Sequence, residues 1–119
     1  MNKGRKISGG KYHALRKKKS FESIVQERQV ILGTTKRKQV KKLGGSKKTI
    51  LLRTNEVNVL VKGKMQKAKI VNVEQTPQNP FLARQNRLMK GSIISTSLGK
   101  ARITNRPTQE GSVNASLID

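Results

Sequence analysis

Cysteine and tryptophan are absent from this chain, histidine occurs once, and the aromatics are Tyr12, Phe21 and Phe81 alone. Without cysteine there is no disulfide and no thiolate metal site, which fits a cytoplasmic setting. Acidic residues are nearly as scarce: Glu22, Glu27, Glu56, Glu74, Glu110 and Asp119 complete the set. They are scattered singly, so no spacing of metal ligands is visible. No apolar run approaches the roughly 18 residues of a membrane span, and the N-terminus lacks the apolar stretch of a signal peptide. The reading is a soluble protein that is not exported and has no membrane partner.

The same scarcity removes most catalytic schemes. His13 has no nearby carboxylate in the sequence to orient it as a general base, and a triad needs a histidine and an acid on rigid elements. Next to Tyr12, His13 is better suited to stacking on a base or bonding a phosphate. The pair Gly44-Gly45 is too short for a Walker or dinucleotide fingerprint. The chain is expected not to be an enzyme and to use no cofactor, metal or small-molecule substrate.

What is present is positive charge: 27 Lys and Arg on 119 residues, for a net charge of +21. So large an excess repels itself unless a polyanion neutralises it, and nucleic acid is the default polyanion. The length allows one domain of ordinary size. Leu, Ile, Val and Phe make up 30 of the 119 residues, above the roughly 20 per cent below which a highly charged chain stays disordered. A small core is therefore within reach.

The charge is unevenly placed. Residues 1–20 carry Lys3, Arg5, Lys6, Lys11, Arg16, Lys17, Lys18 and Lys19 with no acid, and beyond Met1 only Ile7, Ala14 and Leu15 as aliphatics. Such a segment cannot offset its ordering entropy by burial. It reads as an extended tail, disordered in the free protein, with Gly4, Gly9 and Gly10 letting the backbone thread between phosphates. Removing its eight charges leaves +13 on the remainder. The expected division is a basic tail over 1–23 and a barrel-like domain over 24–119.

From Phe21 onward Val and Ile number 17 against 9 Leu, in short runs between turns, which is a strand signature. Val57, Val59 and Val61 alternate with Asn58 and Leu60, Ala101 and Ile103 with Lys100, Arg102 and Thr104, and Val113, Ala115 and Leu117 with Asn114 and Ser116. Further strands are expected over 29–32, 39–43, 48–53, 66–73 and 93–97. One helix of about three turns is expected over 79–90, with Asn79 as N-cap, Pro80 at the first position and Gly91 closing it. No internal repeat is evident. The fold class is mainly β: a small bent sheet or β-barrel with one α-helix and the extended basic tail.

Three clusters concentrate the charge: Arg16-Lys17-Lys18-Lys19; Lys36-Arg37-Lys38 with Lys41-Lys42; and Lys47-Lys48 with Arg53. A single lysine is ordinarily a solvated surface charge. Three clusters in the first 53 residues, offset only by Glu22 and Glu27, point to phosphate contact. Gly44 and Gly45 read as a hairpin turn that also bares backbone N–H groups to phosphate. Three aromatics are too few for a base-stacking sheet, and no recognition helix is available. Recognition of a folded polyanion by shape remains, which suits structured RNA better than a bare duplex.

Four blocks resemble the archaeal and eukaryotic type of small-subunit ribosomal protein eight, a family unrelated to the bacterial protein of that number. Gly4-Arg5-Lys6-Ile7-Ser8-Gly9-Gly10-Lys11 with Arg16-Lys17-Lys18-Lys19 is similar to its N-terminal signature. Gly44-Gly45-Ser46-Lys47-Lys48 through Leu52-Arg53 is similar to its double-glycine hairpin. Pro77, Asn79, Arg84, Asn86 and Lys90-Gly91 match its loop and helix. Leu98 to Pro107, with Gln109-Glu110-Gly111 and Val113-Asn114-Ala115, is similar to its archaeal C-terminal block. Ser8 replaces the usual Thr, Ser46 the usual Asn, and Ser23-Ile24 a usual Leu-Gly pair. The short length favours an archaeal source. The resemblance implies a non-enzymatic, ribosome-bound cytoplasmic protein with small-subunit rRNA and neighbouring ribosomal proteins as partners. The expected RNA contacts are the eight basic tail residues with Tyr12 and His13, then Lys36, Arg37, Lys38, Lys41, Lys42, Gly44, Gly45, Lys47, Lys48 and Arg53, and finally Arg102 and Arg106. The rival readings are a chromosomal architectural protein that coats DNA and, without an acid–base pair to support it, an RNA-processing enzyme.

Overall fold

The computed structural model describes residues 4–24 and 28–118. It is mainly β, with strands β1 (Val30–Leu32), β2 (Lys36–Lys41), β3 (Lys47–Thr54), β4 (Glu56–Val61), β5 (Lys64–Gln75), β6 (Arg87–Leu88), β7 (Ile93–Thr96), β8 (Gly99–Ile103) and β9 (Asn114–Leu117). One short helix, α1 (Pro80–Arg84), lies between β5 and β6. β4, β5, β7, β8 and β9 close into a barrel, and β2-β3-β1-β6 form a four-stranded sheet. The expected strands are present with small shifts at their ends.

The barrel closes because its first and last strands meet. β4 and β9 run parallel, pairing Asn58 with Asn114, Val59 with Ala115 and Leu60 with Ser116. β5 is long enough to serve two neighbours: residues 64–69 pair with β4 and residues 70–75 with β7. Register irregularities between Ile70 and Asn72 and between Val73 and Gln75 fall in its second half, where bulges bend a strand and increase its twist. Alternation then sorts the side chains. Val57, Val59, Ala68, Ile70, Val73, Ile94, Ala101, Ile103 and Ala115 are buried, as is Val113 just before β9. These small or β-branched groups suit a narrow interior.

The second sheet shares that interior. Val30, Leu51 and Leu88 join the barrel residues in one hydrophobic cluster. The chain crosses from sheet to barrel at a corner held by Thr54, whose Oγ1 accepts the Glu56 N–H at 3.1 Å and lies 3.2 Å from the Thr35 hydroxyl.

The helix begins where the sequence placed it and ends early. Asn79 Oδ1 accepts the Phe81 N–H at 3.0 Å and Pro80 opens the first turn. The helix stops at Arg84, not near residue 90. Asn86 adopts φ 52, a left-handed conformation that asparagine tolerates. It redirects the chain into β6, where Leu88 pairs with Val30 and Arg87 with Ile31. Two gains outweigh another helical turn: β1 acquires a second neighbour, and Leu88 becomes fully buried. The spacing of Phe81, Leu82, Leu88 and Met89 fits one amphipathic helix, but it fits a short helix followed by a strand equally well.

The tail stands apart from this core. Every described residue from 4 to 24 is exposed. The radius of gyration is 21.4 Å, against about 13.5 Å for a compact chain of this length. It is not wholly featureless. Arg5 and Lys11 form a bridge, and Ser20–Glu22 make one 3-10 turn.

The strand assignment of Leu88 is testable by denaturant unfolding. Leu88→Ala should cost about 2–5 kcal/mol, the range for a buried leucine. Phe81→Ala, at a side chain 64% exposed, should cost less than about 1 kcal/mol.

Candidate nucleic-acid interface

The basic residues expected to touch RNA lie on three structural elements. The first is the tail. Arg5, Lys6, Lys11, Tyr12, His13, Arg16, Lys17, Lys18 and Lys19 are all exposed, whereas Lys3 lies outside the described residues. Lys6 Nζ sits 5.9 Å from the Tyr12 ring centroid, and Lys19 Nζ lies 5.8 Å from that of Phe21. Arg16 differs from its neighbours in having an acidic partner. Its guanidinium holds the Glu22 carboxylate through two hydrogen bonds, at 2.7 and 2.9 Å. Glu22 also accepts the Lys19 N–H at 3.1 Å, so the pair closes the 3-10 turn. Arg16, with the Lys19 N–H assisting, holds the Glu22 carboxyl below its ordinary value, and Glu22 raises the Arg16 pKa in return.

The second element is the hairpin of β2 and β3. β2 has no fully buried residue; its cations face water because the strand is an outer edge of its sheet. Lysines along such an edge also discourage edge-to-edge aggregation. Lys36 is opposite Arg53, and Lys41 is opposite Lys47. Like charges directly across a ladder oppose pairing, so a bound polyanion would relieve a cost built into the free hairpin. At the tip, Gly44 and Gly45 take φ 85 and 84, which a side chain would strain. A Cβ at either would meet nothing within 4 Å. The glycines therefore serve the turn and leave its backbone bare.

The third element is the barrel with its 105–112 loop. Asn105 shapes that loop by donating to Glu110 Oε2 and the Ser112 carbonyl, both at 2.8 Å, and accepting the Asn114 N–H at 2.9 Å. Arg102 projects outward from β8, and Arg106 is exposed at the start of the loop. The loop docks on the hairpin. Arg37 Nε donates to the Gly111 carbonyl at 2.7 Å, and Lys48 Nζ donates to Gln109 Oε1. Arg37 and Lys48 thus also join the hairpin to the barrel, a role sequence reasoning did not assign them.

Several further exposed cations lie outside the expected set. Lys67 and Lys69 alternate with buried Ala68 on the outer side of β5, and Lys62 and Lys64 are exposed at the turn where it begins. Lys67 shares a cleft with Arg37, Glu56 and Asn58. Lys90 lines a groove with Arg106, Met89 and Gln78. In sequence these lysines are interleaved with apolar or polar residues and never form a run; the period-two spacing of Lys67 and Lys69 was the available signal. Among the described residues, no group of three or more His, Cys, Asp or Glu could hold a metal ion, and no helix is long and apolar enough to cross a membrane.

The chain is similar to known proteins over nearly its whole length. The family model described as Ribosomal protein S8e matches residues 1–118. Small ribosomal subunit protein eS8 of Methanocorpusculum labreanum is 46% identical over 117 residues, covering 97% of this chain and 94% of the relative. The protein of the same name from Methanocella arvoryzae is 40% identical over 116 residues, with 96% and 93% covered. That of Methanosarcina barkeri is 39% identical over 117 residues, with 97% and 94% covered.

Two substitutions test this arrangement. Lys47→Glu should raise the denaturation midpoint of the free protein, because it turns a like-charged cross-strand pair into an opposite one. The same change should weaken RNA binding and lower its salt slope by roughly one or more. In an NMR pH titration, Glu22 should protonate at lower pH than it does in Arg16→Ala. The contribution of the pair to the turn is complete above the ordinary carboxylate pKa and is lost as pH falls through the depressed one.

Proposed function

The chain belongs to the ribosomal protein S8e family, and from that membership we propose that this small-subunit ribosomal protein acts by binding and stabilising folded small-subunit rRNA. It does so as a structural, cytoplasmic, ribosome-bound constituent that catalyses nothing. The observation that carries the reading is that the most basic stretches of the chain are also those that bury least. All described residues of the tail are exposed, and the hairpin strand β2 contains no buried residue. Arg37 and Arg16 also hold the Gly111 carbonyl and Glu22. Exposed side chains with charges of one sign are suited to a polyanion surface.

On this reading the chain grips RNA with two parts. Residues 1–23 thread between RNA segments, and their Lys and Arg neutralise phosphates that otherwise repel one another. The domain over 24–119 seats on the outside of RNA helices through the hairpin cations, Arg53, Arg102 and Arg106. Phosphate contacts of this kind position a protein and carry little sequence information. Shape and the placement of the helices therefore dominate specificity. Tyr12 and His13 add ring faces for stacking in the tail. Neighbouring ribosomal proteins complete the surroundings.

Removal of residues 1–20 tests the division. The shortened protein should keep its thermal midpoint, since nothing in the described tail is buried. Its affinity for small-subunit rRNA should fall, and the slope of log K against log salt should flatten by about 0.7–0.9 for each phosphate that the tail no longer neutralises. An unchanged slope removes the tail from the interface. Duplex DNA competing as well as rRNA at matched salt favours the chromosomal reading instead.

A further inference from the structure

Two turns far apart in the sequence are built alike. In the tail, Arg5 and Lys11 face each other as an antiparallel bridge, and the loop 6–10 is closed by the Lys6 N–H donating to the Gly10 carbonyl at 2.9 Å. In the hairpin, Lys41 and Lys47 face each other, and the loop 42–46 is closed by the Lys42 N–H donating to the Ser46 carbonyl at 2.8 Å. The chemistry matches at the flanking pair and at three of the five loop positions. A cation stands at each end of each loop, a lysine leads into it, and an aliphatic residue follows. The fourth loop residue is a left-handed glycine in both, Gly9 at φ 81 and Gly45 at φ 84. The turns differ at the third position, Ser8 in one and Gly44 in the other, and at the fifth, Gly10 and Ser46.

The aliphatic residues are the unexplained part. Ile7 and Leu43 have relative exposures of 109% and 103%, so neither contributes to the core. A single exposed aliphatic is ordinary. The same residue class at the same place in two like turns, framed by cations each time, is a pattern. A polyanion takes the cations, and an apolar tip on bare backbone needs a flat apolar surface beside those phosphates. Unpaired RNA offers both, because its bases are splayed from the stack and display their faces next to the backbone. An acidic protein surface would satisfy the cations and leave the tips without a counterpart.

We infer that these turns are twin RNA-gripping tips, in which Arg5 and Lys11, or Lys41 and Lys47, seat on phosphates while Ile7 or Leu43 packs against an unstacked base or ribose of small-subunit rRNA. This rests on the rRNA-binding reading above and adds to it a second kind of contact, one that salt does not screen. The two tips engage separate unpaired segments. The tail and the body are thereby each anchored at a defined place, where phosphate contacts alone would let them slide.

The test uses full-length protein, with Ile7→Ser, Leu43→Ser and the double variant, and an in vitro transcript of the whole small-subunit rRNA of Methanocorpusculum labreanum. Both side chains are fully exposed, so circular dichroism and thermal midpoints should match the unsubstituted protein. Each single variant should bind about tenfold more weakly, the scale of re-exposing one partly buried aliphatic side chain. The salt slope should not change, because no cation is removed. Lys41→Ala should instead lower the slope by roughly one. A photoreactive residue at position 43, in subunits reconstituted with the remaining small-subunit proteins, should crosslink to unpaired nucleotides. Serine variants that bind as tightly as the unsubstituted protein overturn the inference while leaving the rRNA reading standing, as do crosslinks that reach only protein. Failure of the unsubstituted protein to bind the transcript overturns the rRNA reading itself.

Discussion

Twenty-seven cationic side chains and six acidic ones must be kept hydrated and apart while a small core closes, and the rest of the structure depends on meeting that constraint. The chain meets it by segregation. Valine, isoleucine and alanine fill the barrel, while almost every lysine and arginine is left on a strand face, a loop or the tail. Only two salt bridges occur among the described residues, Arg16 with Glu22 and Lys100 with Glu74. Internal neutralisation is therefore negligible. On the proposed reading the compensation comes from outside, from the phosphates of the ribosomal subunit.

That dependence shapes the hairpin and the loop beside it. A cationic edge strand with Lys41 opposite Lys47 is a poor hairpin on its own. It is held by bonds from Arg37 and Lys48 to the 105–112 loop, which Asn105 shapes from within. The tie gives the hairpin a fixed direction before RNA arrives, so less ordering is needed on binding. The hydrogen bonds of the described residues 5–24 run to other residues of the tail. On the proposed reading the protein thus offers RNA one preformed element and one extended element.

Much of this was legible in the sequence because one-sided burial writes alternation into strands. Val57, Val59 and Val61, or Ala101 and Ile103, announce both their strand and their inward face. Helix α1 announced its start through Asn79 and Pro80, since caps are local chemistry. Its end was hidden, because Asn86 turning left and Leu88 pairing with Val30 are decided by the core and not by neighbours in sequence. The parallel meeting of β4 and β9, and the partition into barrel and sheet, were hidden for the same reason. Among the exposed cations, runs were visible and interleaved ones were not, so the tail and hairpin stood out in the sequence while Lys62, Lys64, Lys67 and Lys69 did not. The likeness of the two glycine turns was masked because their letters differ although their bridge and closing bond coincide.

The central claim is that this charge exists for the small subunit's RNA and is embedded in it from two directions. The most direct measurement follows the protein through sucrose-gradient sedimentation of ribosomal subunits after a high-salt wash. A protein with its tail threaded among phosphates and its body clamped on helices should remain with the small subunit when loosely bound basic proteins have been stripped by screening. Loss to the free fraction at the same salt, or recovery with chromosomal DNA instead, would contradict the account.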